Sequence, residues 1–259
     1  LILGDTFDRR KYINFYSYKR TREMFFDKLA ERGIKVFMLA GNHDTYFKNT
    51  NEVNSVDLLL QEYDNVIPIS GPTEFCIDGL DTLMLPWICE DNREKTDHLL
   101  KNTQAKVIFG HLELSGFPAY IGHIQTEGMD SKVFKKFDRV YSGHYHTKSD
   151  DGKIYYLGNP YQMFWNDVDD TRGFHIFDTK TFSLDFIKNP YYIAFVKFGN
   201  YCINVNVINV SRFVDWLLKN QIKIDNWCSD KTYTEYLSQY VLEEQAVDAV
   251  ARAIETSLD

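Results

Sequence analysis

The chain repeats one pattern, in which a short apolar run is mostly followed by a polar motif that contains glycine. The runs are rich in β-branched or aromatic residues, which predicts buried strands of an α/β sheet. Because ligands of open α/β sheets bind at the carboxyl ends of the strands, we expect the motifs to meet at one edge. In chain order the motifs are Gly4-Asp5 with Asp8 just after, Gly41-Asn42-His43-Asp44, Gly110-His111 and Gly143-His144-Tyr145-His146.

Strand and helix patterns alternate through the first 190 residues, which predicts helices packed on a core of two sheets. Residues 112–128 form a predicted long loop beside the motifs, and loops of that length are more often functional than idle. Helices are predicted at 17–32 up to Gly33, from a Ser55 cap to Tyr63, at 92–103 and near 130–136. Strands are predicted at 34–40, 66–69, 74–77, 82–86, 105–109, 154–157, 173–178 and 183–187, with Asp78-Gly79 as a hairpin turn.

The composition changes after about residue 190. Predicted strands at 193–198 and 203–210 and a helix at 211–221 form a small α/β module over 191–225. Residues 232–259 carry apolar side chains at three- and four-residue spacing, which predicts one or two amphipathic helices. Their apolar face either docks on a partner or packs back on the chain's own body.

Composition sets limits on the class of protein. The chain has 259 residues, 44% of them hydrophobic and 25% charged, as in ordinary soluble proteins. The four cysteines form no C-x-x-C pair, so we expect reduced thiols, a cytoplasmic location and no zinc knuckle. No apolar stretch is long enough to span a membrane, so no membrane partner is expected.

The net charge of −8 counts against bulk attraction to nucleic acid. Metal cations would add positive charge where a phosphate sits, and the formal sum omits them. Arg9 and Arg10 directly follow the first motif, so this pair is the better candidate for contacting a phosphate backbone.

The order of the motifs resembles the calcineurin-like metallophosphoesterase superfamily, whose pattern is D-x-H, G-D-x-x-D/H, G-N-H-D/E, G-H and G-H-x-H. Over about residues 1–190 the chain is similar to the SbcD-type nucleases of DNA recombination and repair, and nearest to the small subunit of the phage recombination endonuclease. Leu85-Pro86-Trp87, Gly158-Asn159-Pro160 and Arg172-Gly173-Phe174 carry the similarity to this branch. The resemblance implies an α/β fold over 1–190. In this fold two mixed β-sheets are flanked by helices and form a four-layer sandwich. The resemblance further implies a capping module at 191–225 and docking helices at 232–259.

The resemblance also implies a site for two divalent metal ions, with manganese the favoured metal. Asp5 would bridge the two ions, and Asn42, His111 and His144 would complete one of them. His146 would bind the other, together with the Asp and His of a D-x-H motif. In the family the histidine at the position of His43 stabilises the transition state and protonates the leaving group. The residue at the position of Asp8 orients that histidine by a hydrogen bond, which fixes its tautomer.

The implied function is a metal-dependent DNA exo- and endonuclease that works with an SbcC-type coiled-coil ATPase. A homodimer is implied by the family only, and a phage-encoded protein would act in the host cytoplasm. The alternatives are a phosphodiesterase or phosphatase for small nucleotides, and a non-catalytic subunit that binds DNA or the ATPase. The chain opens on Leu1 and no Asp-x-His precedes Gly4. We therefore expect a fragment without its first strand, which would be inactive or weakly active.

Overall fold

The fold is known from a computed structural model, which describes residues 1–163, 167 and 170–189 and the strands at 194–198 and 201–205. The chain divides into two compact units. The first unit combines Leu1–Pro160 with Gly173–Lys188, and the second combines Tyr161–Arg172 with Asn189–Asp259.

The regular elements of the first unit are short and alternate along the chain. Its helices are α1 (Phe15–Thr21), α2 (Asp27–Glu31), α3 (Ser55–Leu59) and α4 (Glu90–Asn102), with a π turn at Arg22–Phe26 and a 3-10 turn at Ser131–Phe134. Its strands are β1 (Val36–Leu39), β2 (Val66–Ile69), β3 (Thr73–Ile77), β4 (Leu80–Leu85), β5 (Val107–Gly110), β6 (Pro118–Tyr120), β7 (His123–Ile124), β8 (Arg139–Ser142), β9 (Ser149–Asp150), β10 (Ile154–Tyr156), β11 (Gly173–Phe177) and β12 (Leu184–Lys188).

A small parallel sheet holds the N-terminal part of the chain. Strand β1 pairs in parallel with β2 on one side. On its other side β1 pairs in parallel with Ile2, whose N–H donates to the carbonyl of Phe37 and whose carbonyl accepts from the N–H of Leu39. The segment before Gly4 is therefore a third strand position, and its carboxyl end lies beside the carboxyl end of β1.

A larger mixed sheet has six strands in the order β3-β4-β5-β8-β10-β9. Its four central strands are parallel, and the outer pairs β3-β4 and β10-β9 are antiparallel. The parallel strands β5 and β8 are neighbours, so the residues that follow Gly110 and Ser142 meet at one edge of this sheet. The hairpin β11-β12 is paired separately.

Alternation of side chains along the strands produces a layered core. On β1, Met38 packs with Phe26 and the helices, whereas Leu39 packs with Met84 and Tyr141 of the other sheet. This follows from the two-residue period of a strand, which sends successive side chains to opposite faces.

The same alternation governs the larger sheet. Ile108 of β5 packs with Leu100 of α4 and with Phe134, while its neighbour Phe109 faces the smaller sheet. The first unit therefore has four layers. They are the helices that pack on the small sheet, the small sheet, the large sheet, and a layer formed by α4 and the 3-10 turn. The mixed α/β fold class with several sheets is confirmed.

Most predicted elements are present, with three local corrections. Helix α3 is capped by Asn54, whose side chain accepts from the N–H of Asp57, and not by Ser55. The predicted loop at 112–128 contains the hairpin β6-β7, and β9 was not predicted at all. Asp78 and Gly79 have φ of 49° and 82°, as a tight hairpin turn between β3 and β4 requires.

The second unit contains an antiparallel hairpin, β13 (Ala194–Phe198) and β14 (Tyr201–Val205). Its buried Arg172 bonds to Asp167 at 2.8 Å and to Asp170 at 3.1 Å. The predicted helices at 211–221 and 232–259 lie outside the described residues, and the predicted domain boundaries stay predictions. None of the helices in the described residues is long and apolar enough to cross a membrane.

The layered core predicts a strong contrast between two aliphatic truncations. Ile108→Ala should lower the free energy of unfolding by about 2–5 kcal/mol, because Ile108 is fully buried between β5 and α4. Leu58→Ala on α3, where the side chain is 59% exposed, should change it by less than about 0.5 kcal/mol. Urea-induced unfolding measures both, and similar losses for the two variants would contradict this placement of the core.

Candidate metal centre

The polar motifs meet because the two sheets bring their strand ends to one edge. Asp5 follows the strand segment beside β1, Asn42 follows β1, His111 follows β5 and His144 follows β8. Backbone hydrogen bonds join the two sheets at this edge, since the N–H of Trp87, after β4, donates to the carbonyl of Ala40 at 2.8 Å. We call this edge the motif rim.

Glycines allow the motif loops to approach each other. A Cβ on Gly4 would lie 2.3 Å from Nδ1 of His111, and one on Gly41 would lie 2.2 Å from Oδ1 of Asp5. A Cβ on Gly143 would lie 2.4 Å from the carbonyl oxygen of Leu3. These distances are far below a normal carbon contact, so larger residues would separate the loops.

Two of the converging residues have unfavourable backbone angles. Asp5 has φ of 54° and His144 has φ of 81°, which place both in the left-handed region that non-glycine residues seldom adopt. Such conformations cost on the order of 1–3 kcal/mol each and are found mainly at functional sites. The surrounding contacts must therefore hold both side chains at the rim.

Four atoms that carry lone pairs face one another at the rim. Nε2 of His111 lies 3.2 Å from Oδ2 of Asp5 and 3.0 Å from Oδ1 of Asn42. Nδ1 of His144 lies 3.0 Å from the same Asn42 oxygen and 3.1 Å from Nε2 of His111. Ligand atoms about 2.1 Å from one metal ion and at right angles are separated by about 3 Å, so the spacing fits a shared cation.

The tautomer of His111 supports the same interpretation. Its Nδ1–H donates to the carbonyl of Leu3 at 2.6 Å, so in the neutral ring Nε2 carries the lone pair that faces the other three atoms. Lone pairs on all four atoms repel unless a proton or a cation lies among them. Imidazole nitrogens with amide and carboxylate oxygens suit borderline divalent metals, so the donor set fits such an ion.

The pKa values follow from this crowding. Burial raises the pKa of Asp5, but the His111 ring and the N–H of His43 more than offset it and lower the pKa to about 2. Burial lowers the pKa of His111, but the Asp5 carboxylate outweighs it and the pKa is raised. Burial and the nearby His111 lower the pKa of His144 to about 3, which keeps its imidazole neutral and able to bind a metal.

Asp44 anchors the first two motifs to each other. This carboxylate is 1% exposed and accepts hydrogen bonds from the N–H groups of Phe7 at 3.1 Å and Gly41 at 2.9 Å. It also accepts from the N–H of Thr6 at 3.3 Å and from Oγ of Ser55 at 3.0 Å. Burial raises the pKa of Asp44, and these donors oppose that effect. The loop that positions Asp5 is thus tied to the loop that positions Asn42.

His43 is exposed beside the converging atoms, and its contact with Asp8 differs from the prediction. Its N–H donates to Oδ1 of Asp5 at 2.7 Å, and its Nδ1 lies 2.8 Å from the backbone carbonyl of Asp8. The carboxylate of Asp8 does not make this bond; it points to the guanidinium of Arg9 at 3.5 Å. Asp8 can therefore still set the tautomer of His43, but through a backbone oxygen.

The remaining predicted site residues lie around the rim. His146 is half-buried and close enough to His144 to affect its titration, but it lies outside the ligand cluster formed by Asp5, His111 and His144. Arg10 packs over the Trp87 ring at 5.2 Å and donates to the carbonyl of Phe47 at 3.2 Å.

Arg9 is exposed and lies 5.8 Å from the centre of the Tyr12 ring. Of the predicted basic pair, Arg10 therefore holds a loop in place, and Arg9 faces solvent.

Sequence reasoning missed the groups that orient these side chains. Leu3 and Ser55 belong to none of the polar motifs, although the carbonyl of Leu3 and the hydroxyl of Ser55 both orient site residues. The sequence predicts that Ser55 caps a helix instead. Trp87 was noted only as part of a branch signature, although its ring supports Arg10. The role of a backbone carbonyl depends on the path of the chain, so no residue pattern could have indicated it.

Comparison with known proteins identifies a family and a relative that this chain resembles. The family model described as calcineurin-like phosphoesterase matches residues 1–148. A similar curated protein is exonuclease subunit 1 of Enterobacteria phage T4, which is 36% identical over 186 residues. The matched region covers 72% of this chain and 54% of that protein, so the chain spans about half the length of this relative.

The close approach of Gly41 to Asp5 predicts a loss of metal binding on substitution. Gly41→Ala should weaken Mn²⁺ binding by about 10- to 100-fold, because its Cβ would displace the Asp5 carboxylate. Gly71→Ala is the matched control, since no atom lies within 4 Å of its added Cβ. Isothermal titration with MnCl₂ measures both affinities, and equal affinities would contradict the proposed arrangement.

The buried carboxylate of Asp44 predicts a loss of stability. Asp44→Asn should lower the free energy of unfolding by on the order of 3 kcal/mol, because two hydrogen bonds to a charged acceptor are weakened or lost. Ser55→Ala removes one neutral donor and should cost about 1 kcal/mol. Urea unfolding compares the two, and a smaller loss for Asp44→Asn would contradict the anchoring role.

Proposed function

Since the chain belongs to the calcineurin-like phosphoesterase family, we propose that it is a metal-dependent DNA exo- and endonuclease subunit of a recombination or repair complex. The observation that carries the proposal is the convergence of Asp5, Asn42, His111 and His144 at one rim, with His43 beside them. Metal-dependent hydrolysis of a phosphodiester uses metal ligands together with a proton donor, and the rim offers residues of both kinds.

The residues present fit the metal ions that the family implies. Asp5, Asn42, His111 and His144 would hold one divalent ion, and His146 with Asp5 would contribute to a second. We propose manganese as the metal. When bound, such ions neutralise charge on the phosphoryl oxygens and make a water acidic enough to act as nucleophile at neutral pH.

His43 is the proposed proton donor and transition-state contact. Its Nδ1–H can donate to the carbonyl of Asp8, which directs Nε2 away from the loop. Its backbone N–H binds the Asp5 carboxylate, so the ring is held next to the ligand cluster. Protonated at Nε2, the ring can stabilise charge on the phosphoryl group and give a proton to the leaving oxygen.

DNA is the proposed substrate for two reasons. The curated relative is named as an exonuclease subunit. Arg9 is exposed and comes soon after the first motif, so it can contact a phosphate backbone. The alternative is a phosphodiesterase or phosphatase for small nucleotides, which the net charge of −8 favours. A subunit that binds DNA without cutting it is a second alternative.

The proposed partner is a coiled-coil ATPase of the SbcC type. The word "subunit" in the relative's name supports a partner protein. The amphipathic pattern of 232–259 is the proposed docking segment, and 191–225 the proposed capping module. We also propose a homodimer, and action in the host cytoplasm for a phage-encoded protein.

The proposal predicts a selective effect of one histidine. In the full-length protein, His43→Ala should lower kcat for Mn²⁺-dependent DNA degradation by about 10²- to 10⁴-fold. Its Mn²⁺ affinity should change by less than about threefold, because the His43 ring is not among the four converging donors. The control is His98→Ala, an exposed histidine on α4 that should leave both quantities unchanged.

Three substrates distinguish the alternatives: a linear oligonucleotide duplex, a cyclic nucleotide and an aryl phosphate diester. Turnover of the oligonucleotide well above the other two supports the nuclease. Preferred turnover of the small substrates would favour the phosphodiesterase. No cleavage of DNA, with or without the ATPase partner, would overturn the proposed function.

A further inference from the structure

The hairpin β6-β7 stands directly beside the motif rim. The carbonyl of Ala119 in β6 accepts the N–H of His146 at 3.0 Å. The loop that carries His144 and His146 is thus joined by a backbone hydrogen bond to a hairpin that the sequence did not indicate. The hairpin is therefore adjacent to the loop that carries two of the predicted metal ligands.

The base of the hairpin is fixed to the core. Phe117 is buried and packs against the Tyr156 ring at 5.1 Å. The N–H of Gly116 donates to the carbonyl of Gln125 at 2.7 Å, and the N–H of Gln125 donates to the carbonyl of Phe117 at 2.9 Å. A hairpin with these contacts at its base presents its tip in a defined position.

The tip of the hairpin exposes an aromatic pair and two aliphatic side chains. The rings of Tyr120 and His123 are stacked, with centres 4.8 Å apart and planes 12° apart. Tyr120 is 38% exposed, Ile121 50% and Ile124 55%. Since His123 covers one face of the Tyr120 ring, the opposite face and the ring edge are the parts that solvent can reach.

We propose that this tip stacks against a nucleobase of the DNA strand whose phosphate lies at the motif rim. The proposal rests on the nuclease function above and adds a binding element to it. A flat ring next to a phosphate-binding centre suits a base, because every base presents a π face to an aromatic side chain. The four exposed side chains of the tip are far fewer than the roughly 20–30 residues that a protein interface takes from each partner.

The chemistry of the tip also predicts which forms of DNA the protein binds best. A stacked ring makes no hydrogen bonds to the edge of a base, so the contact does not depend on the base sequence. It requires an unstacked base, so single strands and frayed ends should bind better than the interior of a duplex. The tip thus favours DNA ends, and its loss should reduce the preference for single-stranded DNA.

The test measures binding of two fluorescein-labelled single-stranded oligonucleotides of equal length by the full-length protein in the presence of Mn²⁺. One carries bases throughout, and the other carries a block of abasic sites. All variants are made in the His43→Ala background, so that cleavage does not interfere. Anisotropy gives the affinities.

Tyr120→Ala should weaken binding of the base-bearing oligonucleotide by on the order of tenfold, because one stacked base is lost. The same variant should leave binding of the abasic oligonucleotide unchanged, whereas a general loss of structure would weaken both. Tyr120→Phe should restore binding, since it keeps the ring. Val133→Ala removes an exposed apolar side chain from the 3-10 turn and should have no effect.

The three possible negative results have different meanings. If the parent protein binds the oligonucleotide and Tyr120→Ala binds it equally well, the stacking proposal is overturned and the nuclease proposal is untouched. If the parent protein binds neither oligonucleotide, the stacking proposal is overturned, and the cleavage assay decides the nuclease proposal separately. Equal losses for the two oligonucleotides would also contradict stacking, because the loss would not depend on the bases.

Discussion

The site depends on the close approach of strand ends that belong to two different sheets. The loops after Leu3 and after β1 come from the small sheet, and those after β5 and β8 come from the large one. The loops touch with almost no side chain between them, since even a methyl group on Gly4 or Gly41 would overlap its neighbour. This contact fixes the distance between Asp5 and the two histidines, and so determines whether one cation can contact all of them.

The short distances between the converging side chains have an electrostatic cost, and the surrounding groups offset it. Lone pairs of Asp5, Asn42, His111 and His144 face one another at about 3 Å in a mostly buried setting, where charges are poorly screened. Backbone groups hold the arrangement: the Leu3 carbonyl fixes the His111 tautomer, and the N–H of His43 binds Asp5. The buried Asp44 closes the frame by binding the N–H groups of both neighbouring loops. The strained angles at Asp5 and His144 are consistent with such a frame.

Elements with a strong local pattern could be predicted, and weaker ones could not. The strand at 66–69 and the turn at Asp78-Gly79 agree with the prediction, because apolar runs and turn residues are local signals. The cap of α3 was misassigned by one residue, since Asn54 and Ser55 are both good caps and the loop geometry chose between them. The hairpin β6-β7 was missed because its strands have three and two residues, too few for a pattern.

By itself the sequence determined the order of the strands, the motifs at their ends and the residue types that a metal site requires. It could do so because periodicity and motif spacing are properties of short segments. Only the tertiary structure decided how those residues are used: His43 contacts the carbonyl of Asp8 and not its carboxylate, and Arg10 supports a loop beside Trp87. Those choices depend on where the backbone of one loop passes another loop far away in sequence. Side-chain identity does not encode that path, because any residue offers the same carbonyl and only the packing of the two sheets brings it into place.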